Sequence, residues 1–158
     1  MAASIYAIGI GSNRRGRHGA PAAEVRAAVA ALGDTIATSP IVASAPLGPS
    51  SRRFANAAVL IESEEAPSAL LARLKAIEAD FGRRSGRRWG ARVIDLDILL
   101  WSEGAWGSPA LTLPHRDYRR RRFVLAPLAA IAPDWRDPLT GRTTRQLLHA
   151  IDRPRPRP

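Results

Sequence analysis

Two aspartates one residue apart, Asp95 and Asp97, interrupt an otherwise apolar run from Val93 to Leu100. In a β-strand alternate side chains share a face, so both carboxylates point the same way, with Cα atoms roughly 6.5–7 Å apart. Leu96 and Ile98 then face the other side, while Val93 and Leu99 flank the aspartates on theirs. Two carboxylates so placed repel each other and must be desolvated, a cost that a cation offsets. An all-oxygen pair, with no cysteine in the chain and no histidine pair nearby, suits magnesium, which keeps its waters and shares phosphate oxygens. The plainer alternative is a half-buried sheet with solvated aspartates on its wet face.

The segment before this strand carries the opposite charge. Gly82-Arg83-Arg84-Ser85-Gly86-Arg87-Arg88-Trp89-Gly90-Ala91-Arg92 is a basic loop in which glycines permit motion and Trp89 can cover a ligand. A second basic cluster, Arg116 and Arg119 to Arg122, follows His115. The formal net charge is +10, and Lys75 is the only lysine, so the excess is arginine, whose planar fork suits phosphate oxygens. Scattered arginines such as Arg26 and Arg73 need no ligand to explain them. The two clusters point to a polyanion, either a polyphosphate or nucleic acid. Two nucleotide motifs are excluded: Lys75 lies in a helix and not in a P-loop, and Gly9-Ile10-Gly11 meets Arg14 where a dinucleotide fingerprint needs its third glycine. His18 and His149 have no supporting context, and His115 alone is ordinarily a structural hydrogen-bonding residue.

The elements that must hold these residues follow from periodicity. Ser4 to Ile10 reads as a buried strand ending at Gly11-Ser12-Asn13, and Pro21 opens an alanine-rich helix that stops at Gly33. Thr35 to Ser44 is extended with a break at Pro40, Pro46 to Ser51 is loop, and Asn56 to Ile61 is a second strand. Pro67 starts an amphipathic helix with Leu70, Leu71, Leu74, Ile77 and Phe81 on one side, ended by Gly82. Val93 to Leu100 is the clearest strand. A turn-rich hairpin (Ser102 to Pro114), a helix around Phe123 to Ile131 disturbed by Pro127, a turn at Asp137 to Gly141 and a last helix capped near Thr144 complete it. The 158 residues suffice for one domain with a real core, and strand pairs with long helices predict an α+β sandwich over residues 1–152. Residues 153–158, alternating arginine and proline, read as a disordered tail. No apolar run approaches the ~18 residues that span a bilayer, and the N-terminus lacks a basic signal region, so the chain reads as cytoplasmic without a membrane partner.

Taken in order, Gly11-Ser12-Asn13, Pro46-Leu47-Gly48-Pro49, Phe54-Ala55-Asn56-Ala57-Ala58, Arg88-Trp89-Gly90-Ala91-Arg92-Val93-Ile94-Asp95-Leu96-Asp97-Ile98-Leu99 and Leu113-Pro114-His115 with Arg121-Arg122-Phe123-Val124-Leu125 form a set. This set resembles the 6-hydroxymethyl-7,8-dihydropterin pyrophosphokinase family of folate biosynthesis. The resemblance implies a ferredoxin-like α+β sandwich with a mainly antiparallel sheet, transfer of the diphosphate of ATP to the pterin hydroxymethyl group, release of AMP, and a monomer that binds no nucleic acid. It implies that Asp95 and Asp97 hold two magnesium ions, with Arg83 and Arg92 beside them as catalytic residues. Arg83, Arg88, Arg92 and Arg121 are implied phosphate contacts, and Leu71, Glu78, Trp89, Ile98, Thr112 and His115 implied contacts of ATP. For the pterin it implies stacking by Phe54 and Phe123, the Asn56 amide on the ring edge, Trp89 over it, and backbone groups at Ser44, Ala45 and Leu47. A planar heterocycle and a transferred phosphoryl group need those residue types on physical grounds too.

The chain departs from the family pattern at Ser85, Ala91, Ala45 and Arg116. Two other readings therefore stand beside the enzyme: a relative that binds ATP or pterin without turnover, and a basic nucleic-acid-binding domain. The second leaves Asp95 and Asp97 unexplained, because carboxylates on the binding face repel phosphate.

Overall fold

The structure is a computed structural model describing residues 2–44, 54–82 and 92–154. Five strands form one antiparallel sheet: β1 (Ser4–Ser12), β2 (Thr35–Thr38), β3 (Val42–Ser44), β4 (Phe54–Ser63) and β5 (Asp95–Trp101). Their order is β2-β4-β1-β5, with β3 also pairing with β4, so β5 stands at an edge. Helices α1 (Pro21–Leu32) and α2 (Pro67–Gly82) cover one face, and α3 (Arg122–Ile131) and α4 (Thr144–Asp152) cover part of the other. The β1-α1-β2-β4-α2-β5 path with this strand order is the predicted ferredoxin-like arrangement. A small hairpin, β6 (Trp106–Ser108) with β7 (Leu111–Leu113), follows β5.

Period-two alternation divides the residues of β1 between two cores. Tyr6, Ile8 and Ile10 join Val25, Leu70, Leu74 and Phe81 beneath α1 and α2. Ala7 faces the other way, against Leu125, Leu128 and Leu147 of the α3–α4 layer. Gly9 and Gly11 lie on that second face, outside the α3–α4 core, in a cavity bordered by the first turn of α3. The predicted strands are longer or shifted at their ends: β1 runs on to Ser12, β4 covers Phe54–Ser63, and β5 begins at Asp95 instead of Val93. Val93 therefore does not flank the aspartates. It lies buried before the strand, its carbonyl accepting a 2.6 Å hydrogen bond from the Ser12 hydroxyl. Along β5 the register against β1 slips by one residue between Ile98 and Leu100, so Leu99 and Leu100 both reach the α3–α4 core.

Pro127 does not break α3, which continues to Ile131, because the missing amide frees only the carbonyl of Phe123 at the exposed start of the helix. The last helix is capped by Thr143, one residue earlier than predicted. Its hydroxyl accepts from the Gln146 amide at 3.1 Å while its own amide donates to Gln146 Oε1 at 2.9 Å, a reciprocal capping box. Arg153 and Pro154 follow as exposed residues, and 155–158 lie outside the described residues.

Asp137, fully buried, ties this second layer together. It accepts from the Leu139 amide at 3.0 Å, the Thr140 hydroxyl at 2.7 Å and both Nε and Nη2 of Arg119. Burial alone pushes its carboxyl pKa up, but the Arg119 side chain and then the two turn donors more than offset this and hold it well below the usual carboxylate range. A depressed folded-state pKa stabilises the fold above the unfolded value near 4, and that stability drains away as pH falls below it. Asp137→Ala strands the Arg119 guanidinium and is expected to cost about 3–5 kcal/mol. Urea melts at pH 7 should show that loss, and the difference between the two proteins should shrink progressively below about pH 4.

Candidate active site

On the part of the sheet face that the α3–α4 core leaves open, side-chain size dips at the middle one of three strands. Asp95 and Asp97 of β5 lie opposite Gly11 and Gly9 of β1, and these lie opposite Asn56 and Ala58 of β4. Glycine in the middle strand leaves a trough between the carboxylates and the Asn56 amide. The close fit is measurable: a Cβ on Gly11 would stand 3.0 Å from Asn56 Oδ1, and one on Gly9 would stand 3.3 Å from both δ-carbons of Leu99. The result is a cavity of about 230 Å³ whose walls include Asn13, Phe54, Asn56, Asp95, Asp97, Arg121 and Phe123. Phe54 and Phe123 are half exposed, at 48% and 53%, which no core aromatic would be. Arg121 lies across Phe123, its guanidinium carbon 5.9 Å from the ring centroid.

A second cavity, of about 280 Å³, opens on the other side of β5. Leu71 from α2, Leu96 and Ile98 from β5, Thr112 from β7, and His115 line it, joined by Lys75 and Arg116. Residues from four separate segments converge there because α2 packs against β5 while the β6–β7 hairpin folds over the same strand end. The His115 amide donates to the Leu99 carbonyl at 2.8 Å, fixing this residue to the free edge of β5. The Asp117 amide donates to His115 Nδ1 at 3.1 Å, so the neutral ring carries its proton on Nε2. Asp97 is common to the linings of both cavities.

The aspartates are not desolvated, contrary to the sequence reading: both are exposed, and the Asp95 side chain retains 57% of its surface. An edge strand beside a glycine row leaves them open to water. Arg92 pairs with Asp95 at 3.3 Å. Among the described residues no cluster holds three or more potential metal-ligating side chains. Two carboxylates on one face still fit magnesium, which takes one or two protein carboxylates and completes its octahedron with water and phosphate oxygens.

Other expected residues lie elsewhere. Glu78 is outside both linings, and its carboxylate accepts from the Leu96 amide at 2.8 Å. Arg121, expected at the nucleotide, lies in the aromatic cavity. The second arginine cluster is largely committed to carboxylates: Arg119 to Asp137, Arg120 and Arg121 to Asp117, and Arg122 to Asp152. Arg116 lines the second cavity instead. Ser44 ends β3 opposite Phe54. Arg83, Arg88, Trp89, Ala45 and Leu47, with Ser85 and Ala91 of the departures, lie outside the described residues. His18, left without a role above, holds the fully buried Glu24 carboxylate, at 2.8 Å through Nδ1 and 2.7 Å through its amide. Gly9 and Gly11 were missed as site residues; glycine alternating along an apolar strand is itself a signal of close approach.

The family model for 7,8-dihydro-6-hydroxymethylpterin-pyrophosphokinase (HPPK) matches residues 7–133. The chain belongs to this family. Relatives called 2-amino-4-hydroxy-6-hydroxymethyldihydropteridine pyrophosphokinase include those of Pseudomonas aeruginosa, 46% identical over 73% of this chain and 71% of that one, and Haemophilus influenzae, 39% identical over 80% and 81%. The Synechocystis relative is 40% identical over 69% of this chain, a match that spans 56% of the relative's length. A crystal structure of Plasmodium falciparum HPPK-DHPS with pteroate superposes with a TM-score of 0.70, covering 94% of this chain and 42% of that one. At 15% identity that likeness establishes the HPPK fold alone. No described helix is long and apolar enough to cross a membrane.

The glycine row gives a direct check. Gly9→Leu forces a branched side chain into the space held by Leu99 and is expected to cost about 1–3 kcal/mol by overpacking. Gly9→Ala, which asks Leu99 to give by tenths of an ångström, should cost less, and thermal melts of the two variants should rank accordingly.

Proposed function

We propose that this chain transfers the diphosphate of ATP to the hydroxymethyl group of 6-hydroxymethyl-7,8-dihydropterin in folate biosynthesis. The observation that carries the reading is the meeting of two unlike cavities at Asp97. One offers two exposed aromatic rings and an amide, the surfaces a flat heterocycle needs; the other offers apolar walls, a hydroxyl, an imidazole and cations, the surfaces a nucleoside polyphosphate needs. In the reaction the hydroxymethyl oxygen attacks the β-phosphorus, the bond from that phosphorus to the oxygen bridging to the α-phosphorus breaks, AMP leaves with that oxygen, and the hydroxyl proton is released.

Positioning and charge neutralisation are the protein's contribution to such a step. Phe54, Phe123 and Asn56 hold the acceptor ring flat over Gly11, while Leu71, Ile98, Thr112 and His115 hold the nucleotide. His115 donates from Nε2, and Arg92 and Arg121 supply cations near the aspartates. Asp95 and Asp97 are the residues for two magnesium ions, which when bound neutralise the polyphosphate charge. Arg83, Arg88 and Trp89 retain the phosphate-binding and covering roles given above, with Ala45 and Leu47 at the pterin. The unit is a cytoplasmic monomer with one domain over residues 1–152. The commitment of Arg119, Arg120 and Arg122 to carboxylates speaks against a nucleic-acid surface there.

Asp95→Asn and Asp97→Asn keep shape and remove charge. Each should lower the rate of AMP release from ATP, magnesium and the reduced pterin by at least about 100-fold, with an unchanged circular dichroism spectrum. Near-normal turnover in either variant overturns the reading. Phe123→Ala removes a stacking face worth about 1 kcal/mol, so pterin affinity should fall several-fold while ATP affinity holds, as calorimetry on each ligand would show.

A further inference from the structure

Glu78 is an acidic residue bonded to the aspartate strand that lines neither cavity. Its side chain keeps only 8% of its surface, although it projects from α2 beside a charged site. One oxygen accepts the Leu96 amide at 2.8 Å, and the other lies 3.4 Å from the ammonium of Lys75. Leu96 is the residue between Asp95 and Asp97, and its amide is given to α2, not to β1. Among the described residues β5 pairs with β1 on one side only, and no described strand holds its outer edge. Two bonds hold that edge instead: Glu78 to Leu96, and the His115 amide to the Leu99 carbonyl.

We propose that Glu78 is a positioning residue which, by accepting the Leu96 N–H, fixes the pitch of the edge strand so that Asp95 and Asp97 are held together toward the cations they bind. An ionised acceptor makes this bond shorter and stronger than a neutral one, and α2 is a firm base because Leu70, Leu74 and Phe81 are buried in the core. Losing the acceptor leaves an unpaired N–H at the point where the two carboxylate-bearing residues pivot. The inference rests on the reading of Asp95 and Asp97 as metal ligands and assigns Glu78 to the strand in place of the nucleotide. Partners that hold metal ligands from behind typically contribute 10–100-fold to metal affinity.

The test uses the full chain with ATP and manganese as the probe ion, followed by water-proton relaxation, together with hydrogen exchange at the Leu96 amide by NMR. Glu78→Leu keeps the volume and removes the acceptor: the half-saturating manganese concentration should rise about 10-fold or more, Leu96 exchange should quicken, and the calorimetric affinity for ATP without metal should stay within about twofold. Glu78→Ala also removes the acceptor and should give the same changes, which keeps the test decisive if Glu78→Leu does not fold, while Glu78→Gln keeps an acceptor and should restore both readouts to within about threefold of the parent. A Gln variant as impaired as the Leu variant, or a metal-free ATP affinity that falls with either, places the carboxylate on the nucleotide and overturns the proposal. Faster Leu96 exchange with unchanged manganese binding overturns it as well, as does Leu96 exchange that neither variant alters. A parent chain that binds no manganese with ATP overturns the metal reading itself, a failure distinguished by its appearance before any substitution.

Discussion

Repulsion between two like charges on one strand face is the constraint around which this molecule is arranged. At ~7 Å two unit charges repel by about 0.6 kcal/mol in water and about 2.4 kcal/mol at an effective dielectric near 20. Keeping Asp95 and Asp97 at the wetter limit is therefore worth more than burying them, and the fold does so by putting them on an edge strand beside glycines. The α3–α4 layer stops short of them, and the first cation they meet is Arg92. The same openness that makes the pair tolerable makes it available to an incoming cation.

That constraint explains why opposite faces of the sheet are built so differently. Beneath α1 and α2, β1 presents Tyr6, Ile8 and Ile10, all buried, and the packing is continuous. Above, it presents Ala7, Gly9 and Gly11: Ala7 is packed in the α3–α4 core, whereas the two glycines face a cavity that only the first turn of α3, at Phe123 and Val124, borders. The bulge at Leu99 serves both needs at once. It sends Leu99 and Leu100 to the α3–α4 core, so the apolar layer closes immediately beside Asp97. The buried Asp137–Arg119 pair then fixes the turn behind Tyr118–Arg120, from which Arg121 and Phe123 project into the cavity.

How much of this could be read from the chain alone depended on the range of the interaction. Period two placed Asp95 and Asp97 on one face, and helical spacing placed Leu70, Leu74 and Phe81 in the core, because both are local rules. The start of β5 was misjudged because Val93 and Ile94 are as apolar as the strand itself, although they are buried before it begins. The assembly of Leu71, Ile98, Thr112 and His115 was legible only through the family resemblance, since nothing in their separations brings four segments together. Glu78 shows the limit most clearly: a glutamate at an i+3 position from Lys75 reads as a helix-surface pair, and its bond to an amide 18 residues away leaves no trace in the pattern.

The placement of cations follows from the same electrostatics. Had all five arginines between 116 and 122 stayed free, their mutual repulsion would have opposed the turn that carries them. Asp117, Asp137 and Asp152 pair with four of them, Asp117 being shared by Arg120 and Arg121, and burial decides which pairs matter for the fold. The Asp137 pair is buried and depresses the carboxyl pKa strongly, whereas the Asp117 and Asp152 pairs lie exposed and are screened. A net charge of +10 is thus not spread evenly over a binding surface. It is partly cancelled where the chain turns, while Arg116, Lys75, Arg121 and Arg92 lie in or beside the two cavities, the last three in ion pairs of 3.4, 3.5 and 3.3 Å with Glu78, Asp117 and Asp95 for which a polyanion can compete.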